Sequence, residues 1–359
     1  MKSKAAVLYE YHAPLAVEEI EVLGPQEGEV LVKIAASGVC RTNWRIIQGD
    51  YDWCVPPMVL GDEGAGVVED VGKGVTRVKP GDHVVLSWIP YCGNCYYCDR
   101  GITNLCENPH MMTSSRFRKG NEVLNHLAGL STFSEYTVAP EEGVIPIRSD
   151  APLDKAALVG CGVPTGWGAV IKAAKVEPGS SVAVIGVGGV GLNVIQGAVL
   201  AGAEKIIAVD IKDNKLEMAR QFGATHTINA NQEDSVERIR ELTDGRGADY
   251  AFDVIGTPEV IEKAYASLRP GGTAVMVGWP SEDTEVKVKV GLLFGERKLV
   301  GTSLGSIQPG ADIPKIINLY MAGKLKLDEL ITKRFPLDNV NDAMNAMVNG
   351  EVARALIEF

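Results

Sequence analysis

The sequence has no apolar run long enough to cross a bilayer, and its opening, MKSKAAVLYEYHAPL, lacks the apolar core of a secretion signal. Neither membrane insertion nor export is expected, and the default location is cytoplasmic. Basic residues are not in surplus either. Lys and Arg number 35 against 46 Asp and Glu, a net charge of −11, which leaves no excess of cations to neutralise a phosphate backbone. Nucleic acid is therefore not an expected partner. Internal repeats and low-complexity segments are missing. Histidine is scarce, with His12, His83, His110, His126 and His226 the full set. Cysteine is better supplied: there are seven, and in a cytoplasmic chain they read as metal ligands or reactive groups before disulfides.

A chain of 359 residues suits about two domains. The first part is rich in Gly, Pro and β-branched residues. EVLVKIAASGVC, EGAGVVEDVG and GDHVVLSW are short strand-like runs separated by Gly and Pro, an all-β and barrel-like pattern. Near residue 160 the texture changes. SVAVIG is a short apolar strand, GLNVIQGAVLAGA a helix, KIIAVDI a strand and NKLEMARQFGA a helix, and the alternation runs on through TAVMVGW. It predicts a parallel sheet with helices on both faces, ending near residue 300.

The strand SVAVIG leads into Gly186-Val187-Gly188-Gly189-Val190-Gly191, a G-x-G-x-x-G between strand and helix. Gly186 would permit the tight turn, Gly188 the approach of backbone to a pyrophosphate, and Gly191 close packing of helix on strand. The unpaired N–H groups at the helix start would face the phosphates. A glycine-rich turn without a ligand can have the same spelling. Here, however, Asp210 closes the next strand about 20 residues further on, where an acid holds the adenosine ribose hydroxyls. Its charge would repel an added 2′-phosphate, so NAD is expected over NADP.

Cys92, Cys95, Cys98 and Cys106 lie together in CGNCYYCDRGITNLC. Four close thiolates suit a tetrahedral structural zinc that folds a protruding loop. An iron–sulfur cluster is the rival, but ferredoxin runs that open with the same spacing continue with three residues and Cys-Pro, which this one does not.

GVCRT, the four-cysteine lobe, STFSEYTV, GCGVPTGWGAV and the glycine fingerprint together resemble the medium-chain zinc-containing alcohol dehydrogenases along nearly the whole chain. The pattern SRF…HLAGLSTFSEYTV looks most like the class III branch that includes glutathione-dependent formaldehyde dehydrogenase. The resemblance implies an α/β plus β fold. A GroES-like β-barrel catalytic domain would span 1–162, with the zinc lobe at about 90–110. A Rossmann doubly wound parallel-sheet domain would span 163–303, and 304–359 would return to the catalytic domain. It implies NAD(P) and a catalytic zinc held by Cys, His and Cys with Glu after the His. By that correspondence the ligands are Cys40, Asp62 and Cys161, with Glu63 next to them. Thr42 matches the hydroxyl that relays the alcohol proton. Arg41 and Arg354 match arginines that touch the pyrophosphate, Lys215 a lysine near the adenosine ribose, and Thr165 a threonine near the nicotinamide.

Three departures stand out. Asp62 replaces the histidine ligand, Asn43 replaces the aspartate that normally lies behind it, and Arg45 replaces a histidine that often ends the proton relay. The first two fit each other, since an amide at 43 can donate a hydrogen bond to a carboxylate at 62, whereas a second carboxylate there would repel it. A carboxylate is a legitimate zinc ligand. With two thiolates it leaves the centre one net negative charge and a weaker Lewis acid. Two readings remain open. One is a zinc held by Cys40, Asp62, Cys161 and Glu63, in an enzyme that interconverts an alcohol and an aldehyde or ketone. The other is a zinc-independent reductase of an activated C=C or C=N bond, with Asp62 or Glu63 as proton donor. A third reading, of another class, is an NAD(H)-binding protein without catalysis.

Trp88 and Phe133 match aromatic pocket-lining positions, and Trp44, Trp53, Trp279 and Leu304 are candidates for the same wall. They suggest a narrow, apolar pocket for a flat small-molecule substrate. Arg45 could recognise a carboxylate or phosphate. KLVGTSLG, near residue 300, resembles the edge through which family dimers join their sheets, so a homodimer or homotetramer is expected.

Overall fold

The computed structural model describes residues 1–108, 116–281 and 283–359; His110 and the Ser115 of the SRF pattern lie outside them. Two compact units are present. One comprises Met1–Gly162 with Gln308–Phe359, and the other Val163–Ile307.

The first unit is built on strands. β1 (Lys2–Leu8), β2 (Ala16–Val22), β4 (Met58–Val59), β7 (Phe117–Lys119) and β8 (Glu122–His126) close a small barrel. A seven-stranded sheet contains β3 (Glu29–Gly38), β5 (Glu63–Val71), β6 (His83–Leu86), β9 (Tyr136–Pro140) and β10 (Val144–Pro146), together with β17 (Ile331–Pro336) and β18 (Arg354–Glu358). The last two come from the end of the chain, and β18 pairs antiparallel with β3. Val30, Val32, Ile34, Val68, Val84 and Leu86 form one core across this sheet, each nearly or wholly removed from water. Burying such a side chain is worth about 1.5–3 kcal/mol.

An all-β expectation for this part misses its short helices, Leu153–Ala156 and one that bears on the site. Arg41–Ile47, here α1, carries RTNWRII directly after β3. At seven residues it spans about two turns, too few for an apolar period to show among neighbouring strands.

The second unit is a six-stranded, all-parallel sheet. Its order is β13 (His226–Asn229), β12 (Lys205–Asp210), β11 (Ser181–Ile185), β14 (Ala248–Asp253), β15 (Leu268–Met276), β16 (Lys298–Gly301). The sequence SVAVI reads apolar almost throughout because β11 lies inside the sheet with both faces covered. Helix Gly189–Ala201 follows it, and β16 forms one edge. The architecture is a GroES-like barrel unit plus a Rossmann unit. Among the described residues no single helix is long and apolar enough to cross a membrane.

Candidate active site

The register of β3 on β5 builds the centre. Gly38 pairs with Glu63, so Cys40, just past the end of β3, and Asp62, just before β5, emerge at the same end of the sheet. Gly61 has φ +102°, and a Cβ there would collide with the backbone of Thr132 and Phe133. A glycine is therefore required immediately before Asp62, and it sets the direction in which that side chain leaves. Cys161 arrives from a separate turn, Ala157–Gly160, whose last carbonyl accepts the Trp88 N–H at 3.1 Å.

One ligand atom from each of Cys40, Asp62, Glu63 and Cys161 lies within 4.8 Å of all the others. Asp62 and Glu63 are wholly buried and Cys40 nearly so. The two carboxylates are held differently. Asn43, also fully buried, donates from Nδ2 to Asp62 Oδ1 at 2.6 Å, while its Oδ1 accepts the Gly61 N–H at 2.9 Å. Asp62 Oδ2 is buried without a hydrogen-bond partner. Glu63 has both oxygens engaged, Oε1 by the Gly162 N–H at 2.8 Å and Oε2 by the Arg354 guanidinium.

Electrostatics follow from burial. Desolvation, then the neighbouring Cys40, pushes the Asp62 carboxyl well above its ordinary range. Burial pushes Glu63 up to about 7, with Arg354 pulling against it. The Cys40 thiol is lowered to about 6, chiefly because Cys161 hydrogen-bonds to it, and Cys161 is correspondingly raised. A buried carboxylate oxygen with no partner, beside two thiols that share a proton, is costly unless a cation replaces the protons. The donor set fits a zinc ion. Two sulfurs and one free carboxylate oxygen make three ligands, which leaves the open position of a catalytic site. Glu63 is spoken for by Arg354 and Gly162.

The lobe is a separate cluster. Cys92 Sγ lies 3.5 Å from Cys106 Sγ and 4.0 Å from Cys98 Sγ, and Cys95 and Cys106 are also 4.0 Å apart. Sulfurs at the corners of a tetrahedron about 2.3 Å from a zinc would be roughly 3.8 Å apart. The spacing fits zinc, and all four cysteines are free of disulfides.

In the second unit Gly186 has φ +93°, and a Cβ on Gly191 would strike the Gly186 carbonyl, so the fingerprint glycines are required by the turn itself. Gly188 caps helix Gly189–Ala201, and Val190 lies in its first turn. Asp210 ends β12, mostly buried, and accepts N–H groups from Val187 at 3.0 Å, Ile211 at 2.8 Å and Lys212 at 3.2 Å. Lys215 lies on helix Asp213–Gln221 and Thr165 on helix Gly162–Gly168. Arg41 is exposed at the start of α1, stacked over Trp44 at 5.5 Å. Arg354, by contrast, is buried in the ion pair with Glu63.

Thr42 follows Cys40 into α1, its hydroxyl 3.4 Å from the Cys40 sulfur. Arg45, on the same helix, is paired with Asp50 at 3.0 Å and lies over the Tyr51 ring at 6.0 Å. Tyr51 and Trp53 are 6.0 Å apart and Trp53 and Trp88 6.5 Å, forming a row of three rings. Phe133 is fully buried, its N–H on the Leu60 carbonyl at 3.0 Å. Trp279 and Leu304 belong to the second unit, Trp279 half exposed and Leu304 buried. His83 opens β6 and His126 stacks on Phe117, so neither joins the thiols. Reading the sequence missed Asp50 and Tyr51. The available signal was an acid–aromatic pair, GDYDW, directly after a short helix ending in an arginine-bearing turn.

A buried two-thiol centre on a barrel unit and a dinucleotide fingerprint on a parallel-sheet unit define one class of protein, the medium-chain dehydrogenases. Comparison with known proteins gives the family. Residues 26–149 match the alcohol dehydrogenase GroES-like domain, and residues 189–322 match the zinc-binding dehydrogenase domain. The NDMA-dependent alcohol dehydrogenase of Amycolatopsis methanolica is 42% identical, covering 99% of each chain. Alcohol dehydrogenase class-3 of Dictyostelium discoideum is 40% identical over 99% of this chain and 97% of its own. Benzyl alcohol dehydrogenase of Acinetobacter calcoaceticus superposes with a TM-score of 0.94 at 35% identity, over 100% of this chain and 99% of its own. The chain belongs to the medium-chain zinc-dependent alcohol dehydrogenase family and is an oxidoreductase of the alcohol dehydrogenase type.

Proposed function

We propose that this protein is an NAD-dependent dehydrogenase that interconverts an alcohol and its aldehyde or ketone, with Cys40, Asp62 and Cys161 holding the catalytic zinc. The observation that carries the reading is the unpartnered Asp62 Oδ2 in a cluster whose other carboxylate, Glu63, is already engaged. Zinc held there would polarise the substrate oxygen as a Lewis acid, weakened by the extra ligand charge. Thr42 takes the alcohol proton. Arg45 cannot pass it on, because a guanidinium does not give up its proton in this range and Asp50 neutralises it. Arg45 is accordingly a wall residue, with Tyr51, Trp53 and Trp88 providing flat apolar surface. A benzyl-type alcohol is the first substrate to test, since a relative of that name shares the fold so closely.

Elemental mass spectrometry on protein purified without chelator or added zinc tests the metal. About two zinc ions per chain are expected, one in each cluster. About one would mean that only the four-cysteine lobe is filled, and would direct substrate searches to conjugated enals, enones and iminium-type acceptors instead.

For the coenzyme, Asp210 supports NAD. Asp210→Asn removes the charge; its one side-chain oxygen can still accept the Ile211 and Lys212 N–H groups, while its NH₂ would face the Val187 N–H. The ratio of kcat/KM for NADP over that for NAD should rise about tenfold, ~1.4 kcal/mol. An unchanged ratio would remove Asp210 as the discriminator. The chain is also proposed to form a homodimer or homotetramer through the β16 edge; Val290, Leu293 and Phe294, shortly before β16 in the sequence, are exposed. A monomeric mass by light scattering would refute this.

A further inference from the structure

We propose that Asn43 is a positioning residue that makes Asp62 a one-oxygen metal ligand, by holding Oδ1 and leaving Oδ2 for the metal. This rests on the reading that the Cys40–Asp62–Cys161 cluster holds zinc.

The argument begins with the amide. Asn43 is fully buried and both ends of its side chain are committed. Its oxygen accepts the Gly61 N–H at 2.9 Å, and an amide has only one oxygen, so its NH₂ must face the other way. There it meets Asp62 Oδ1 at 2.6 Å. The flip state of the amide is therefore fixed by the backbone of the very residue that precedes Asp62. Gly61 itself is held at φ +102° by the lack of room beside Thr132 and Phe133. Carboxylate, amide and backbone form one short closed loop, Asp62–Asn43–Gly61, which holds Asp62 Oδ1 against rotation by two hydrogen bonds. A carboxylate free to rotate could chelate through both oxygens, or turn away from the sulfurs. With Oδ1 held, Oδ2 alone is unsatisfied, and it is buried among groups that want a cation.

The arrangement also makes residues 43 and 62 depend on each other. A carboxylate at 43 would retain the bond from Gly61 but place two buried anions in hydrogen-bond contact. Asn43→Asp therefore keeps the acceptor for Gly61 and changes only what faces Asp62, an anionic oxygen in place of a donor. The added anion would be tolerated if position 62 carried a histidine, which can donate a ring N–H to a carboxylate and offer its other nitrogen to the metal.

The test uses the full chain as purified. Zinc content is measured together with the rate of zinc release to a chromophoric chelator and the visible ligand-field bands of the cobalt(II)-substituted protein. Wild type should retain about two zinc ions, and N43D should release the second about ten- to hundredfold faster, with the cobalt bands of that site shifted or lost. In N43D/D62H the second zinc should return. A purely architectural role for Asn43 at the Gly61 turn would leave N43D like wild type, because the Gly61 bond survives; that result overturns the proposal. So does loss of metal in N43D that D62H fails to rescue, with the metal-free melting temperature lowered equally in both variants. Only about one zinc in wild type would instead overturn the underlying metal assignment, and this inference with it.

Discussion

Asp62→Ala is expected to abolish most turnover: kcat/KM on the best alcohol should fall by about a thousandfold or more, ~4 kcal/mol of transition-state stabilisation. Zinc content should fall from about two per chain to about one. The size follows from what the side chain does. Removing a single preorganised donor from the site where charge develops costs about 10²–10³ in kcat. Removing a ligand leaves two thiols to hold the ion and forfeits the whole polarising charge. The fold should survive. The variant leaves the Asn43 NH₂ unpaired and a small void, a cost of about 1–3 kcal/mol. Circular dichroism and a melting curve would show a folded protein of lowered stability. Steady-state kinetics beside elemental analysis separates the two readings of this centre. Unchanged turnover with the metal gone would show that the reaction does not pass through this site. Turnover and metal both retained would show that Glu63 had swung in, against its present hold by Gly162 and Arg354.

Much of this could be read in the sequence, for reasons that differ by level. The parallel sheet was legible because strand and helix periods alternate cleanly from SVAVI onward, and the inner apolar strands β11 and β12 are buried on both faces. Helix α1 was not legible, because seven residues carry no period. At the site, the identity of the cluster lay in spacing and resemblance, and the Asn43–Asp62 hydrogen bond followed from pairing an amide with a carboxylate. Three things depended on distance and were hidden. The Arg354–Glu63 pair joins positions 291 apart in sequence. Arg45 is neutralised by Asp50 across the end of a short helix, so a cation that looked free to bind an anionic substrate is already engaged. The single orphaned oxygen of Asp62 depends on which of two chemically equal atoms the amide takes, which composition and spacing cannot encode.

Breaking the buried Glu63–Arg354 pair should be among the most destabilising point substitutions in the barrel unit. Glu63 is fully buried and Arg354 is nearly so, with the guanidinium on one carboxylate oxygen and the Gly162 N–H on the other. Glu63→Ala would strand the Arg354 cation in a site closed to water, and breaking a buried pair in this way costs about 3–5 kcal/mol. For a domain of this size that is a melting temperature lower by roughly 10 °C. Replacing both partners, Glu63→Gln with Arg354→Met, should cost far less than Glu63→Ala alone, because desolvation of the two charges offsets much of their attraction. Gly38→Ala should resemble Glu63→Ala, since a Cβ there would collide with Glu63 Oε2 and drive it off the guanidinium. Thermal melts of the four proteins test this, and a silent Glu63→Ala would sink it. If the neutral pair does fold nearly as well, stability alone does not explain why an ion pair sits there. The pair's effect on the centre is close to balanced: the Glu63 charge disfavours the ionised Cys40 and Arg354 favours it, while Cys40 and Cys161 favour the charged arginine. The folded double variant should then keep its second zinc, which elemental analysis beside the melts would show.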